Sequence, residues 1–247
     1  MNIDVDAARQ AAPLPTLGIL LLNTRFRRYQ GDIGNPATWP FPVRYRVVEQ
    51  AEPRHMGHLA QHDLLAPFQQ AAQALIDDGV VGIVTSCGYL AYYQQELAAW
   101  SPVPVATSSL LQYGLIRQLL PANRYPLILT FDESTLTGDY LQKVGIPPQA
   151  AVAGVDPRTA FVRAIRQGED DVPYQLIRHE VLSAAQQALA RFPAAGALLL
   201  ECTNLAPFSA ELRTRFGLPV FDAVTLVNGF YAALRPPVWD GGASWNL

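Results

Sequence analysis

The sequence has little cysteine, little charge and no long apolar run. Only two of its 247 residues are cysteine, which excludes the disulfide framework of a small secreted protein. Charged residues make up 16%, the net charge is −3, and no basic block offers a face for nucleic acid or an anionic membrane. No apolar run approaches the roughly 18 residues of a transmembrane helix, and the N-terminal MNIDVDAARQ is too polar for a secretory signal. We therefore expect a cytoplasmic protein with reduced thiols, and neither nucleic acid nor a membrane as partner.

What the sequence does contain is enough apolar residues, 50% of the total, for a sizeable core. Short runs that are apolar at every position are typical of parallel strands buried on both faces. They occur at residues 17–22, 80–85, 126–130 and 197–200. Residues 64–77 and 177–192 have the apolar spacing of helices. This alternation predicts an α/β fold in which helices cover parallel sheets.

The features come in the same order in both halves of the chain. In each half, a first strand leads into a polar loop, and a later strand ends in a cysteine, Cys87 in the first half and Cys202 in the second. We predict two related α/β lobes. The first comprises residues 1–112 plus 224–247, because the end of the chain is expected to cross back, and the second comprises residues 113–223.

Each cysteine follows a strand and precedes a predicted helix. This position is the ligand crevice at the carboxyl ends of the strands. A helix N-terminus there is expected to lower the pKa of a thiol from its free value of about 8.5. Two such thiols on opposite sides of a cleft could take a proton from one face of a carbon and deliver one to the other. Alternatively, Cys87 and Cys202 are buried packing residues, which is common for cysteine.

Polar residues at the same strand ends are candidates for binding a substrate. With nearby backbone N–H groups, they could hold the carboxylate or carbonyl beside a carbanion. The candidates are Asn23, Thr24, Ser86, Gly88, Thr130, Thr203 and Asn204.

A metal site is not predicted. His55, His58 and His62 have the spacing of one helix face, but Pro53 and Gly57 interrupt a helix there, so a solvated surface run is favoured.

Residues 25–43 (RFRRYQGDIGNPATWPFPV) do not fit the repeat. Their prolines, glycines and aromatic residues indicate an ordered loop. Because the loop follows the first strand, we interpret it as a lid or a wall of the cleft, with a structural loop or a subunit contact as the alternatives.

Residues 80–88 and 197–204 resemble the two cysteine motifs of the aspartate/glutamate/hydantoin racemase superfamily. Residues 127–146 and 218–230 extend the resemblance, and residues 17–43, with Thr24-Arg25-Phe26 and the run from Gly31 to Asn35, look typical of a poorly characterised branch. The resemblance implies two Rossmann-like lobes with pseudo-twofold symmetry and an active site between them. It implies catalysis without cofactor or metal, with Cys87 and Cys202 as the acid/base pair, and a homo-oligomer, a dimer or higher.

Two departures from the motifs bear on the substrate. Racemases typically have Cys-Asn-Thr and Gly-Cys-Thr, whereas this chain has Cys87-Gly88-Tyr89 and Glu201-Cys202-Thr203. The missing donors argue against free glutamate or aspartate. Glu201 would raise the pKa of a neighbouring thiol. It is therefore expected either to point to the other face of the strand or to pair with an arginine across the cleft.

These observations predict a cofactor-independent racemase or epimerase, an isomerase that inverts a carbon next to a carboxylate or amide carbonyl. An amino-acid-derived or hydantoin-like small molecule is the expected substrate. The alternatives are a maleate-type cis-trans isomerase, an enzyme like arylmalonate decarboxylase and, in another class, a non-catalytic small-molecule binding protein.

Overall fold

The structure is a computed structural model that describes residues 14–169 and 171–237, without the side chain of Arg54. The polar N-terminal segment and the last ten residues, which were assigned to the first lobe, lie outside the described residues.

Two four-stranded sheets form the framework, and every strand pairs in parallel with its neighbours. The strands are β1 Leu17–Leu22, β2 Val43–Val48, β3 Ile83–Thr85, β4 Val105–Ala106, β5 Tyr125–Thr130, β6 Val152–Gly154, β7 Ala195–Leu200 and β8 Val220–Phe221. The first sheet has the order β2-β1-β3-β4 and the second the order β6-β5-β7-β8, so the topology of one lobe repeats in the other. The α/β, two-lobed prediction is confirmed.

Helices pack on both sheets. The α-helices of the described residues are α1 Pro53–Met56, α2 Leu65–Asp77, α3 Gln94–Trp100, α4 Tyr113–Leu119, α5 Gly138–Lys143, α6 Ala160–Gln167, α7 Tyr174–Arg191, α8 Ser209–Phe216 and α9 Ala223–Leu234. Short 3₁₀ segments span Pro36–Thr38, Leu59–Gln61, Gly88–Tyr93, Ser109–Gln112, Glu133–Thr135 and Thr203–Phe208. Across the described residues, no helix is both long and apolar enough to cross a lipid bilayer.

The central strands are those that the apolar runs predicted. β1, β5 and β7 are buried at nearly every position, because helices cover both faces of their sheets. The edge strands were not predicted. β2 alternates between partly buried and exposed residues, and β4 and β8 have only two residues each, so none of them leaves a continuous apolar run.

The end of the described chain packs on the first sheet. Val227 and Tyr231 of α9 belong to the same core cluster as Leu17 and Ile19 of β1, and the Tyr231 hydroxyl donates to the Pro15 carbonyl at 2.8 Å. The residue limits proposed for the two lobes stay a prediction.

The histidine run does not lie on one helix. α1 ends at Met56, before His58, and His62 follows a separate 3₁₀ turn. Among the described residues, no group of three or more histidine, cysteine, aspartate or glutamate side chains is placed to hold a metal ion.

Candidate active site

The carboxyl ends of the two sheets face each other. The Thr203 hydroxyl donates to the Ser86 carbonyl at 2.8 Å, and the Ser109 hydroxyl donates to the Leu200 carbonyl at 2.6 Å. Because these bonds join residues far apart in sequence and are buried, they hold the segments that follow β3 and β4 against the end of β7.

A pocket of about 470 Å³ opens where the two strand ends meet. Cys87 and Cys202 both line it, and both side chains are partly exposed. The structure thus brings the two predicted thiols to one pocket, one from each lobe. The remaining lining residues are Leu22, Thr24, Phe26, Arg28, Pro53, Met56, Ser86, Gly88, Tyr89, Phe131, Ile165, Glu201, Thr203 and Asn204.

Each thiol sits at the start of a 3₁₀ segment, but its pKa is raised rather than lowered. The backbone N–H groups of Tyr89 and Leu90 do lower the pKa of Cys87, as expected near a helix N-terminus. Burial raises the pKa of Cys87 by more, and the carboxylate of Glu201 raises it further. The same two causes, in the same order, raise the pKa of Cys202 well above its ordinary value. The expectation of lowered thiol pKa values is therefore wrong, because desolvation outweighs the short helical turns.

Glu201 lies beside the thiols, within the pocket wall. Only 1% of the residue is exposed, and its Oε2 accepts a hydrogen bond of 2.6 Å from the Thr130 hydroxyl. Its Oε1 has no hydrogen-bond partner among the described residues, and burial raises the pKa of Glu201 to about 7. Both sequence-based expectations for this residue are wrong. It lines the cleft, and no ion pair with an arginine is present in the part of the chain that the structure describes.

Gly88 is the reason that Glu201 can occupy this position. A Cβ atom at residue 88 would overlap both the carbonyl oxygen and Oε1 of Glu201, and it would lie 2.7 Å from Cδ. The two departures from the racemase motifs are therefore coupled. Glycine after the first cysteine leaves the space that glutamate before the second cysteine fills.

Tyr89 extends the polar network between the lobes. Its hydroxyl accepts a hydrogen bond of 2.7 Å from Thr135, donates to the Asp132 carbonyl at 3.3 Å and lies 3.4 Å from the Thr130 hydroxyl. Since Thr130 in turn donates to Glu201, the carboxylate is held by a chain of hydroxyl groups.

Arg28 supplies a positive charge to the pocket. Its Nη1 donates to Asp32 Oδ1 and its Nη2 to the Thr24 hydroxyl, both at 2.8 Å. Asp32, which is 2% exposed, also accepts a hydrogen bond from Asn204, and the Cys202 thiol donates to Asn204 Oδ1 at 3.5 Å. One continuous network thus joins Arg28 of the first lobe to Cys202 of the second.

The loop of residues 25–43 forms one wall of this pocket. Phe26 and Arg28 contribute the wall, and the Tyr29 hydroxyl fastens the loop to the second lobe by donating to the Val172 carbonyl at 3.2 Å. Trp39 and Phe41 lie elsewhere, because they belong to the packed cluster in which the ring of Phe41 stacks on Tyr231 at 3.7 Å.

The predicted substrate-binding residues divide into two groups. Most line the pocket: Thr24, Ser86, Gly88, Thr203 and Asn204. Two do not line it. Asn23 is exposed and donates to the Glu49 carbonyl at 3.0 Å, whereas Thr130 is fully buried behind Glu201.

Several pocket residues were missed by sequence reasoning. Phe26 and Arg28 follow Thr24 at alternate positions, which is the spacing of one face of an extended segment. This spacing could have predicted that both residues line the pocket together with Thr24. No sequence pattern predicts Met56, Phe131 and Ile165, because an apolar residue that lines a pocket looks the same in sequence as one in the core.

No protein-family model matches the chain. Dimethylsulfoniopropionate lyase 7 of Emiliania huxleyi (strain CCMP1516) is 28% identical over 256 residues, which cover 99% of this chain and 74% of the relative. Dimethylsulfoniopropionate lyase 6 of the same strain is 29% identical, covering 98% of this chain and 66% of the relative. The dimethylsulfoniopropionate lyase of Durusdinium sp. clade D is 26% identical, covering 94% of this chain and 80% of the relative.

Solved structures show the same architecture at lower identity. Unliganded arylmalonate decarboxylase superposes with a TM-score of 0.58 at 14% identity, covering 91% of this chain and 94% of that one. Allantoin racemase from Pseudomonas fluorescens superposes with a TM-score of 0.57 at 15% identity, covering 88% of this chain and 90% of that one. Glutamate racemase from Campylobacter jejuni superposes with a TM-score of 0.54 at 13% identity, covering 89% of this chain and 86% of that one. The chain therefore shares the two-lobed fold of these three enzymes, the architecture that the resemblance of its cysteine motifs implied.

Proposed function

We propose that the chain is a cofactor-independent lyase that removes a proton from the carbon next to a carboxylate, with dimethylsulfoniopropionate or a close analogue as its substrate. The observation that carries this proposal is the pocket, where two thiols, a buried carboxylate and an arginine meet. The similarity to dimethylsulfoniopropionate lyases over nearly the whole chain supports the lyase class over the isomerase class that the sequence alone favoured.

The reaction needs one base and no cofactor. A cysteine thiolate takes the proton from the α carbon, the electron pair of that C–H bond becomes the second bond between the α and β carbons, and the bond from the β carbon to sulfur breaks with its electrons on sulfur. The products are an α,β-unsaturated carboxylate, neutral dimethyl sulfide and a proton on the cysteine, which then passes to water.

The charges of the pocket suit a substrate that carries both signs. Arg28 is placed to attract the carboxylate, and guanidinium groups bind carboxylates well. Glu201 brings a carboxylate to the same pocket, and its negative charge favours a sulfonium group. Apolar side chains, chiefly Phe26, Phe131 and Ile165, offer a surface for methyl groups.

A racemase or epimerase acting on an amino-acid or hydantoin-like substrate is the second candidate. The observation that favours it is that both thiols, rather than one, line the pocket. Inversion at carbon needs a proton donor opposite the base, whereas elimination needs only the base.

The test is a panel of substrates offered to the purified protein. Gas chromatography would measure dimethyl sulfide from dimethylsulfoniopropionate, and chiral chromatography in D₂O would follow amino acids, hydantoins and an arylmalonate. We expect release of dimethyl sulfide that depends on the cysteines. Racemisation with deuterium at the stereocentre and no dimethyl sulfide would replace the lyase by the second candidate, and binding without turnover of any compound would contradict both.

A further inference from the structure

Only one oxygen of the Glu201 carboxylate accepts a side-chain hydrogen bond. Thr130 donates to Oε2, whereas Oε1 has no hydrogen-bond partner among the described residues. Glu201 is nevertheless buried, with 1% of the residue exposed to solvent. An unpaired oxygen in such a place costs free energy of folding, on the order of 1–3 kcal/mol for a buried polar group. A cost of this kind is commonly found where a group has a functional task.

The free oxygen is aimed at the first cysteine segment. Oε1 is one of the atoms that a Cβ at residue 88 would overlap, so it lies directly against the backbone that follows Cys87. Cys87 and Glu201 line the same pocket, and the Glu201 charge acts on the Cys87 thiol. No other described side chain donates to this oxygen.

The second cysteine has a different proton acceptor. The Cys202 thiol donates to Asn204 Oδ1 at 3.5 Å, and Asn204 is itself held by Asp32. The thiol proton of Cys202 is therefore already directed away from Glu201. Of the two thiols in the pocket, this leaves Cys87 as the one that could donate to Oε1.

We propose that Glu201 accepts the thiol proton of Cys87 and so generates the thiolate that acts on the substrate. The S–H bond breaks with its electron pair left on sulfur, and an O–H bond forms from a lone pair of Oε1. Glu201 ends neutral and Cys87 ends as a thiolate, so the pair keeps one negative charge throughout. Glu201 is a positioning residue in this scheme, because it acts on the substrate only through the thiol.

The pH dependence follows from the groups that face the carboxylate. Burial raises the pKa of Glu201 to about 7, and the Glu201 charge contributes to the raised pKa values of its neighbours. Below that pH, Glu201 is protonated and cannot accept a proton. Above it, Cys87 and Glu201 share one proton and titrate as a pair. The titratable or charged groups in question are Cys87, Cys202, Tyr89 and Tyr140, with Arg28 acting on Cys87 from the loop.

The experiment measures the alkylation rate of each cysteine by iodoacetamide between pH 5 and 11, read by peptide mass spectrometry on the wild-type protein. Since only thiolate reacts, we expect the Cys87 rate to rise in two steps, the first near pH 7, with Cys202 as the internal reference lacking that first step. A single rise at strongly alkaline pH for Cys87 would overturn the proposal without any variant being needed.

Glu201→Gln sharpens the result, with Glu133→Gln as the matched control because Glu133 is an exposed carboxylate paired with Arg191. We expect Glu201→Gln to remove the first step and to slow Cys87 alkylation at pH 7.5 by at least about tenfold, since the proton acceptor is gone. Faster alkylation at that pH would mean that the carboxylate only repels the thiolate, and it would overturn the proposal.

The inference builds on the proposed function only in making Cys87 the base. Alkylation requires no substrate, so its outcome is independent of whether dimethyl sulfide is released. A first step near pH 7 in a protein that releases none would keep the Cys87–Glu201 pair and reject the substrate.

Discussion

Cys87 and Cys202 occupy equivalent places in the two lobes, but their surroundings differ. Both follow the strand that pairs with the central strand of its sheet, and both begin a 3₁₀ segment. Cys87 lies on the side of the free oxygen of Glu201, which the opposite lobe supplies. Cys202 donates to Asn204 and through it joins the ion pair of Arg28 with Asp32.

The comparison teaches that the repeated fold supplies the two positions, while residues that differ between the lobes make them unequal. Glu201 is next to Cys202 in sequence yet serves the other thiol in space, and Arg28 comes from the loop that has no counterpart in the second lobe. Two thiols of equal environment would suit a reaction that runs equally in both directions across a carbon. Unequal thiols suit a reaction with one base, such as elimination.

Replacing each cysteine in turn is the strongest way to break the comparison. We expect Cys87→Ala to lower the rate of dimethyl sulfide release by about 10³-fold, within the range for loss of a general base. Cys202→Ala should cost only about tenfold to a hundredfold, because the elimination needs no second base. Equal losses of kcat in the two variants would show that the thiols are equivalent and would favour a racemase.

The contact between Gly88 and Glu201 offers the next largest effect, on stability. We expect Gly88→Ala to lower the free energy of unfolding by about 3 kcal/mol or more, since the new Cβ would overlap backbone as well as side-chain atoms of Glu201. Gly229→Ala in α9 is the control, because a Cβ there meets nothing within 4 Å, and alanine should stabilise that helix by about 0.5–1 kcal/mol. Urea denaturation measures both, and similar values for the two variants would refute the packing described for Gly88.

Glu201→Gln should increase stability in a pH-dependent way. Because the folded pKa of Glu201 is raised from 4.5 to about 7, the wild-type protein loses stability as the pH rises through this window. The shift corresponds to about 3 kcal/mol at pH 8. We therefore expect the variant to be more stable than wild type by up to that amount at pH 8 and equal to it near pH 4.5. Thermal unfolding of both proteins across this pH range measures the difference in stability. A difference that is the same at all pH values would contradict the raised pKa of Glu201.

Sequence reasoning was sound where one physical cause dominates. Strands buried on both faces leave continuous apolar runs, so β1, β3, β5 and β7 could be located, and the strand-end cysteines followed from them. The edge strands could not be found in the same way. β2 carries Arg44 and Arg46, and its pairing with β1 is decided by the sheet rather than by its own pattern.

Reasoning failed where a side chain depends on a residue from the other lobe. The direction of Glu201 is set by the space over Gly88 and by the hydroxyl of Thr130, and neither is its neighbour in sequence. The direction of the thiol pKa shift failed for the same reason. Proximity to a helix N-terminus could be predicted, but the desolvation of a pocket closed by two lobes could not.

The smallest effect concerns Arg28. We expect Arg28→Lys to keep a cation beside the buried Asp32 but to raise KM by about tenfold, because lysine cannot bind a carboxylate with a planar fork. Arg191→Lys is the control, since Arg191 is exposed and pairs with Glu133 away from the pocket. Steady-state kinetics of both variants separate KM from kcat, and an unchanged KM in Arg28→Lys would remove Arg28 from substrate binding.

The central claim is that a thiol of this pocket removes a proton from the carbon next to a carboxylate. The most direct measurement is the single-turnover release of dimethyl sulfide from dimethylsulfoniopropionate deuterated at the α carbon, compared with the unlabelled compound. We expect the deuterated substrate to react severalfold more slowly, because the C–H bond breaks in the chemical step. Equal rates for the two compounds would contradict the claim, since dimethyl sulfide would then leave in a step that breaks no α C–H bond.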